Sequence, residues 1–127
     1  MIDDVVERLR DPDRWVLVFA LAAFALWLAS GAPLRSWASE AGVRDHWPFD
    51  VAPSFFAGGT IAGWQALATD TPPLGSALLA GAFVSLTEVA QLVMPQYTAD
   101  LRDVAAGLAG AALTFPFLRW RSRHRAV

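Results

Sequence analysis

The sequence predicts an all-α fold, namely an integral membrane four-helix bundle preceded by a short N-terminal interfacial helix. Hydrophobic residues make up 55% of the 127 residues and charged residues only 17%, and the mean hydropathy is positive, as is typical of a membrane protein. The charges gather at the termini and between four long apolar runs, whereas a soluble bundle would carry a charged face on each helix. We therefore predict a single domain, residues 1–127, with four membrane spans.

The composition argues against several kinds of site and partner. There are no cysteines, so disulfides and thiolate metal sites are excluded, and we expect no metal and no cofactor. The net charge is −2. Because nucleic-acid binding requires a basic surface, we expect no nucleic-acid partner, and membrane lipid is the partner that the apolar runs imply.

The N-terminal part combines an amphipathic segment with the first span. Residues 1–10 place apolar side chains on one side of a helix, which indicates a helix at the membrane surface, and Asp13 is a candidate cap for the next helix. The first span, at about 15–32, contains no charge and approaches the roughly 20 residues that cross a bilayer. Because mixed charges precede this long run, we expect it to be retained and not cleaved as a signal peptide.

Three further spans are predicted at about 51–69, 73–94 and 103–118. The segment 34–50 before them is either a partly helical lid or a passive connection. The second span contains Gly59-x-x-x-Gly63, a spacing that lets a neighbouring helix approach closely. We interpret it as close packing within one bundle in preference to a dimer contact.

Polar side chains are concentrated around the third and fourth spans. Glu88 and Gln91 lie three residues apart and hence on one helical face, and Arg102 and Asp103 open the fourth span. A carboxylate within a span costs about 2.5–3.5 kcal/mol and usually faces the interior with a partner. We predict that Glu88 pairs with Arg102 or shares a proton with Asp103. The structural alternative is that these groups only satisfy each other and cap helix ends.

Two segments resemble the signatures of the VanZ-like family of membrane proteins. The family's second signature has Glu-x-x-Gln on one helix, a short Pro-Gly-Arg turn and a following helix that opens with Asp, then Asn and Gly; Tyr97 stands in place of the Arg and Gly107 in place of the Asn. The signature is matched by Glu88, Gln91, Pro95, Asp103 and Gly110. Of the first signature, Asp-Lys-x-x-His-Phe, only the ends are matched, by Asp50 and Phe55. The chain departs from the family's pattern at Val51, Ser54, Tyr97 and Gly107.

The arginines predict how the spans are oriented. Seven arginines lie on the side of the termini and three on the other side. Because basic residues favour the cytoplasmic side, we predict that both termini are cytoplasmic in a bacterial inner membrane. Glu88 should then lie about 10 Å below the outer end of the third span. The candidate binding cluster that faces outward consists of Glu88, Gln91, Asp103, Arg102, Asp50 and Ser54.

Three functions remain open at this point. The resemblance implies a cell-envelope protein associated with resistance to the glycopeptide teicoplanin, or one that binds a lipid-linked envelope component. A small membrane-surface enzyme is the second, with Glu88 or Asp103 as general base or as a ligand of Mg²⁺ or Ca²⁺, but no nucleophile motif supports it and we assign no catalytic residue. The third is a non-catalytic scaffold, a subunit of a larger complex or a small transporter element.

Overall fold

The computed structural model describes residues 1–94 and 100–125. Within these residues there is no strand, and the helices are α1 (Ile2–Arg10), α2 (Arg14–Ser30), α3 (Ala32–Glu40), α4 (Ala52–Ala68), α5 (Pro73–Gln91) and α6 (Leu101–Arg125). The all-α prediction is confirmed. The turn predicted to begin at Pro95, with Tyr97, lies outside the described residues.

Three helical stretches of the described chain are long and apolar enough to cross a membrane. They are Arg14–Glu40, Pro73–Gln91 and Leu101–His124, and they coincide with the first, third and fourth predicted spans. The second predicted span corresponds to α4, which has 17 residues and is therefore slightly shorter than the roughly 20 residues of a straight span.

The first helices begin where the sequence predicts. The carboxylate of Asp13 caps α2, with Oδ1 accepting hydrogen bonds from the backbone N–H of Trp15 at 3.0 Å and of Val16 at 3.2 Å. The apolar side of α1 is exposed at Ile2, Val6 and Leu9. An exposed apolar face of this kind fits the predicted amphipathic helix at the membrane surface.

Two helix boundaries differ from the prediction. The first span is predicted at about 15–32, but α2 ends at Ser30 and a second helix, α3, begins at Ala32. Pro33 lies in the first turn of α3, where proline is tolerated. The third predicted span was expected to reach Met94, but α5 ends at Gln91. Residues 92–94 form turns closed by i→i−3 hydrogen bonds, which tighten a helix end.

The helix α4 lies at the centre of the packing. It makes its most extensive contacts with α6 and α2, and it also contacts α5, whereas α2 and α5 do not contact each other. Contacts between α4 and α6 progress in the same direction along both helices, so these two helices are parallel. Contacts of α2 with α4, at Ala20 with Gly63 and at Val16 with Leu67, progress in opposite directions, as do those of α5 with α6, so α2 and α5 run antiparallel to α4 and α6. An open cleft is thus left between α2 and α5 over one face of α4.

Glycines allow α4 and α6 to cross at backbone contact. A Cβ atom on Gly58 would overlap the carbonyl oxygen of Gly107, and one on Gly110 would overlap the carbonyl oxygen of Phe55. The predicted Gly59-x-x-x-Gly63 pair does not serve a single interface: Gly59 faces α6, and Gly63 packs on Phe19 and Ala20 of α2. Close packing within the chain is supported, but Gly58 and not Gly59 makes the tight contact.

An ion pair ties the start of α2 to the end of α6. The Arg121 guanidinium donates to Asp13 Oδ2 at 2.7 and 3.2 Å, and the Asp13 side chain is only 5% exposed. Burial alone would raise the pKa of Asp13. The hydrogen bonds from Arg121 and from the helix N–H groups, with the guanidinium charge, outweigh burial and hold the pKa below its ordinary value of 3.8.

Candidate functional site

The six predicted site residues lie at one end of the helices. Asp50 and Ser54 lie at the start of α4, Glu88 and Gln91 in the last turn of α5, and Arg102 and Asp103 in the first turn of α6. This grouping follows from the packing, because α4 and α6 are parallel and α5 is antiparallel to both. Because α5 stops at Gln91, Glu88 lies only about 4.5 Å from the helix end, so the predicted depth of 10 Å is too large.

Arg102 does not pair with Glu88, contrary to our expectation. Its guanidinium lies 3.1 Å from Asp50 Oδ2 and 3.1 Å from Asp100 Oδ2, and among the described residues no ion pair joins it to Glu88. Its side chain is 65% exposed, so it projects from the surface, whereas Glu88 points inward. The other Asp50 oxygen, Oδ1, is buried and has no hydrogen-bond partner among the described residues.

Asp100 is a member of the cluster that our sequence reasoning missed. Its Oδ1 accepts the backbone N–H of Arg102 at 2.9 Å, and its Oδ2 accepts the Nε–H of the same residue at 3.2 Å. These two hydrogen bonds hold the pKa of Asp100 below its ordinary value. Asp100 therefore caps α6, and Asp103, three residues later, is free to face the interior. The Asp-x-x-Asp spacing resembles a capping pattern and was a usable signal.

Glu88 is a buried carboxylate with an incomplete set of hydrogen bonds. Its side chain is 7% exposed. Oε1 accepts from the Gln91 amide at 3.5 Å, a long contact, and Oε2 is buried with no hydrogen-bond partner among the described residues. The backbone N–H of Asp100 approaches this carboxylate, and the Asp103 carboxylate lies close enough to repel it. Such a group is unfavourable unless another donor reaches it.

Asp103 faces α4 and α3 across the same end of the molecule. The Ser54 hydroxyl is its hydrogen-bonding neighbour on α4, and the charge of Arg35 on α3 acts on it favourably. Arg35 is a second group that our sequence reasoning did not place in the cluster. The cluster therefore contains four carboxylates, of Asp50, Glu88, Asp100 and Asp103, and two guanidinium groups, of Arg35 and Arg102.

Three of the predicted residues line a cavity of about 380 Å³ in the open cleft. They are Ser54, Glu88 and Gln91. The other lining residues are Trp27 of α2, Pro53, Ala57, Thr60 and Ile61 of α4, and Phe83, Val84 and Thr87 of α5. We refer to this cavity as the α2–α5 cleft. Asp50, Arg102 and Asp103 lie beside it and not in its wall.

The α2–α5 cleft is polar at one end and apolar along the rest of its length. The hydroxyls of Thr60 and Thr87 bond to carbonyl oxygens of their own helices, at 2.7 Å each, so they offer little to a ligand. The remaining polar groups lie at the Glu88 end. From Gln91 to Phe83 the wall spans roughly 12 Å along α5. A molecule with a polar head and a short apolar segment matches this division.

Two of the positions at which the sequence differs from the VanZ-like signatures are closely packed. Gly107 packs against the Val84 side chain and lies near the carbonyl oxygen of Ser54, so an asparagine would not fit there without moving α5. Val51 is buried before α4, a position that does not suit a lysine. Among the described residues, no group of three or more His, Cys, Asp or Glu side chains is arranged to hold a metal ion.

Comparison with protein-family models, with curated proteins and with solved structures gives no match for this chain.

Proposed function

We propose that this chain is a four-span protein of the bacterial inner membrane, VanZ-like in type, that binds an amphiphilic component of the cell envelope in the α2–α5 cleft. The observation that carries the proposal is Glu88, a buried carboxylate whose Oε2 has no partner among the described residues and which lines an otherwise apolar cleft. A free buried oxygen is unfavourable, so the site favours a ligand that completes it.

The membrane assignment is supported by the three long apolar helices and by the alternation in direction of α2, α4, α5 and α6 along the chain. Each of these three helical stretches presents large apolar side chains to the outside of the packing, with exposed residues such as Leu21, Leu78, Phe83 and Leu113. The arginine bias then favours cytoplasmic termini, so that the Glu88 end faces outward. An amphiphile in the outer leaflet would enter the cleft sideways between α2 and α5.

The class of ligand follows from the shape of the cleft. Its polar groups lie at the helix ends, where a lipid head group lies, and its apolar wall runs toward the middle of the helices, where acyl chains lie. A lipid-linked envelope component has the same order of parts. The VanZ-like resemblance, which rests on residues such as Glu88, Gln91 and Asp103, adds an association with teicoplanin, whose target is in the envelope.

A scaffold is the second candidate, and a specific observation favours it. The contacts of Arg102 with Asp50 and of Ser54 with Asp103 join α6 to α4, which is what a purely structural cluster would do. Glu88 distinguishes the two functions, because its Oε2 makes no hydrogen bond among the described residues and so joins no two helices there. Under the scaffold function its charge is dispensable, and under the binding function it is required.

Growth inhibition by teicoplanin, measured beside vancomycin in a sensitive bacterial host, tests the proposal. We would compare the wild type with Glu88→Gln and Asp103→Asn at matched membrane levels, with the exposed Glu40→Gln as the control. We expect the wild type and the control to raise teicoplanin tolerance and the other two variants to lose that effect. If no form changes sensitivity, the family's association does not extend to this chain and the scaffold becomes the better function.

A further inference from the structure

Among the described residues, few hydrogen-bond donors reach Glu88 at its end of the α2–α5 cleft: the backbone N–H of Asp100 approaches the carboxylate, and Oε2 has no partner. Gln91 offers one N–H at a long 3.5 Å, and the Ser54 hydroxyl faces Asp103. The nearest guanidinium on α6, that of Arg102, is directed to Asp50 and Asp100. A ligand that brings its own N–H or O–H groups would therefore complete Glu88 Oε2, which has no partner among the described residues.

The charge around Glu88 favours a cation and disfavours an anion. The carboxylates of Asp103 and Asp100 both act unfavourably on the negative charge of Glu88. A phosphate at this position would add a further negative charge beside three carboxylates, and a neutral hydroxyl would leave their repulsion in place. A positively charged donor both supplies the missing hydrogen bond to Glu88 and offsets the repulsion among the three carboxylates.

We infer that the cleft, in the binding function proposed above on which this inference rests, selects amphiphiles whose head carries a primary ammonium group. The ammonium donates to Glu88 Oε2, and the adjoining alkyl segment lies between Trp27 and Phe83, which form the aromatic walls of the cleft. Trp27 is 40% exposed. It can therefore be reached by a ligand and serves as a fluorescent reporter of the cleft.

Quenching of tryptophan fluorescence by brominated amphiphiles tests this inference. The full chain would be purified in a nonionic detergent and titrated with undecyl probes brominated at the chain end, carrying a primary ammonium, a trimethylammonium, a hydroxyl or a phosphate head. Because the chain has six tryptophans, the Trp27→Phe variant identifies the part of the quenching that arises in the cleft. Glu88→Gln is the test variant, and Glu40→Gln is the control.

We expect the primary ammonium probe to quench Trp27 at a concentration roughly tenfold or more below that of the alcohol, since a charge-assisted hydrogen bond replaces a neutral one. The phosphate probe should be weakest, and the trimethylammonium probe, which has no N–H, should fall between the ammonium and the alcohol. Glu88→Gln should bring the ammonium to the level of the alcohol, and Glu40→Gln should preserve the difference. The ranking in the wild type stands even if a variant fails to fold.

The outcomes separate this inference from the proposed function. If ammonium and alcohol quench Trp27 equally, or phosphate is strongest, the selectivity is overturned while binding in the cleft stands. If no probe quenches Trp27, binding in the cleft is overturned as well. Displacement of the ammonium probe by phosphatidylethanolamine or by an alkyl glucosaminide supports the inference and tells a phospholipid head from an amino sugar, and displacement by neither contradicts it.

Discussion

Replacing Gly58 by alanine tests whether the α4–α6 crossing holds the molecule together. The added Cβ would overlap the carbonyl oxygen of Gly107 and would lie 3.0 Å from the backbone nitrogen of Ala111. Both obstacles are backbone atoms of one helix, so no side-chain rotation relieves them. The two helices must separate locally by on the order of 1 Å to restore ordinary contact distances.

The expected magnitude is the difference between two opposing effects. Overpacking of a tight contact costs about 1–3 kcal/mol, and rigid backbone obstacles place Gly58→Ala at the upper end of that range. Alanine is favoured over glycine in a helix interior by about 1 kcal/mol. We therefore expect a net loss of about 2 kcal/mol in the free energy of unfolding.

The neighbouring residue provides a matched control. A Cβ on Gly59 would meet its nearest atoms, Thr114 Oγ1 and the Gly110 carbonyl oxygen, at 3.7 and 3.9 Å, which are ordinary contacts. Gly59→Ala should thus be neutral or stabilising by up to about 1 kcal/mol. Unfolding in mixed micelles by increasing dodecyl sulfate, followed by circular dichroism, measures both. Equal stability of the two variants would refute the crossing as we describe it.

Other predictions concern the charged contacts at the two ends. Asp13→Ala removes both the helix cap and the ion pair with Arg121, so it should lower the free energy of unfolding by about 2–3 kcal/mol. Asp13→Asn keeps a capping oxygen and should lower it by about 1 kcal/mol. Equal losses for the two variants would contradict this prediction. Because the pKa of Asp13 is lowered in the folded protein, the carboxylate contributes its full stabilisation above pH 3.8, and this stabilisation is lost as the pH falls through the lower folded pKa. Asp13→Asn should therefore remove this part of the loss of stability in acid, measured by unfolding at a series of pH values. Arg102→Gln should lower the free energy of unfolding more than the exposed Arg123→Gln does, since Asp50 loses its ion-pair partner. Equal stability of these two variants would contradict the pairing.

The helical organisation was predictable from hydropathy, and the helix ends only in part. Asp13 combines a capping side chain with a following apolar run, so the start of α2 is readable from the sequence. The end of α5 is not, because Leu92, Val93 and Met94 are as apolar as the helix before them. Hydropathy reports which residues avoid water and does not tell a helix from an apolar turn.

The grouping of the site was predictable, but its pairing was not. Spacing along the chain places Glu88 and Gln91 on one face and brings Asp103 to the same end. Spacing along the chain does not give the rotation of α6 about its axis. That rotation points Arg102 outward to Asp50, so Arg102 does not pair with Glu88. The glycines show the same limit, since Gly59-x-x-x-Gly63 has the expected spacing while the tight contact is made at Gly58.

The glycine crossing also accounts for the position of the site. Because α4 and α6 are parallel and in backbone contact, the positive ends of both helix dipoles lie at the same end of the molecule, beside Asp50 and Asp103. Each such end stabilises a nearby carboxylate by about 0.3–1 kcal/mol, so it partly offsets the repulsion among the acidic groups gathered there. Gly107 lies against Val84 of α5 and near the carbonyl oxygen of Ser54, so it lets α5 approach the start of α4 one turn before Glu88. The packing that holds the helices together therefore also sets the geometry around Glu88.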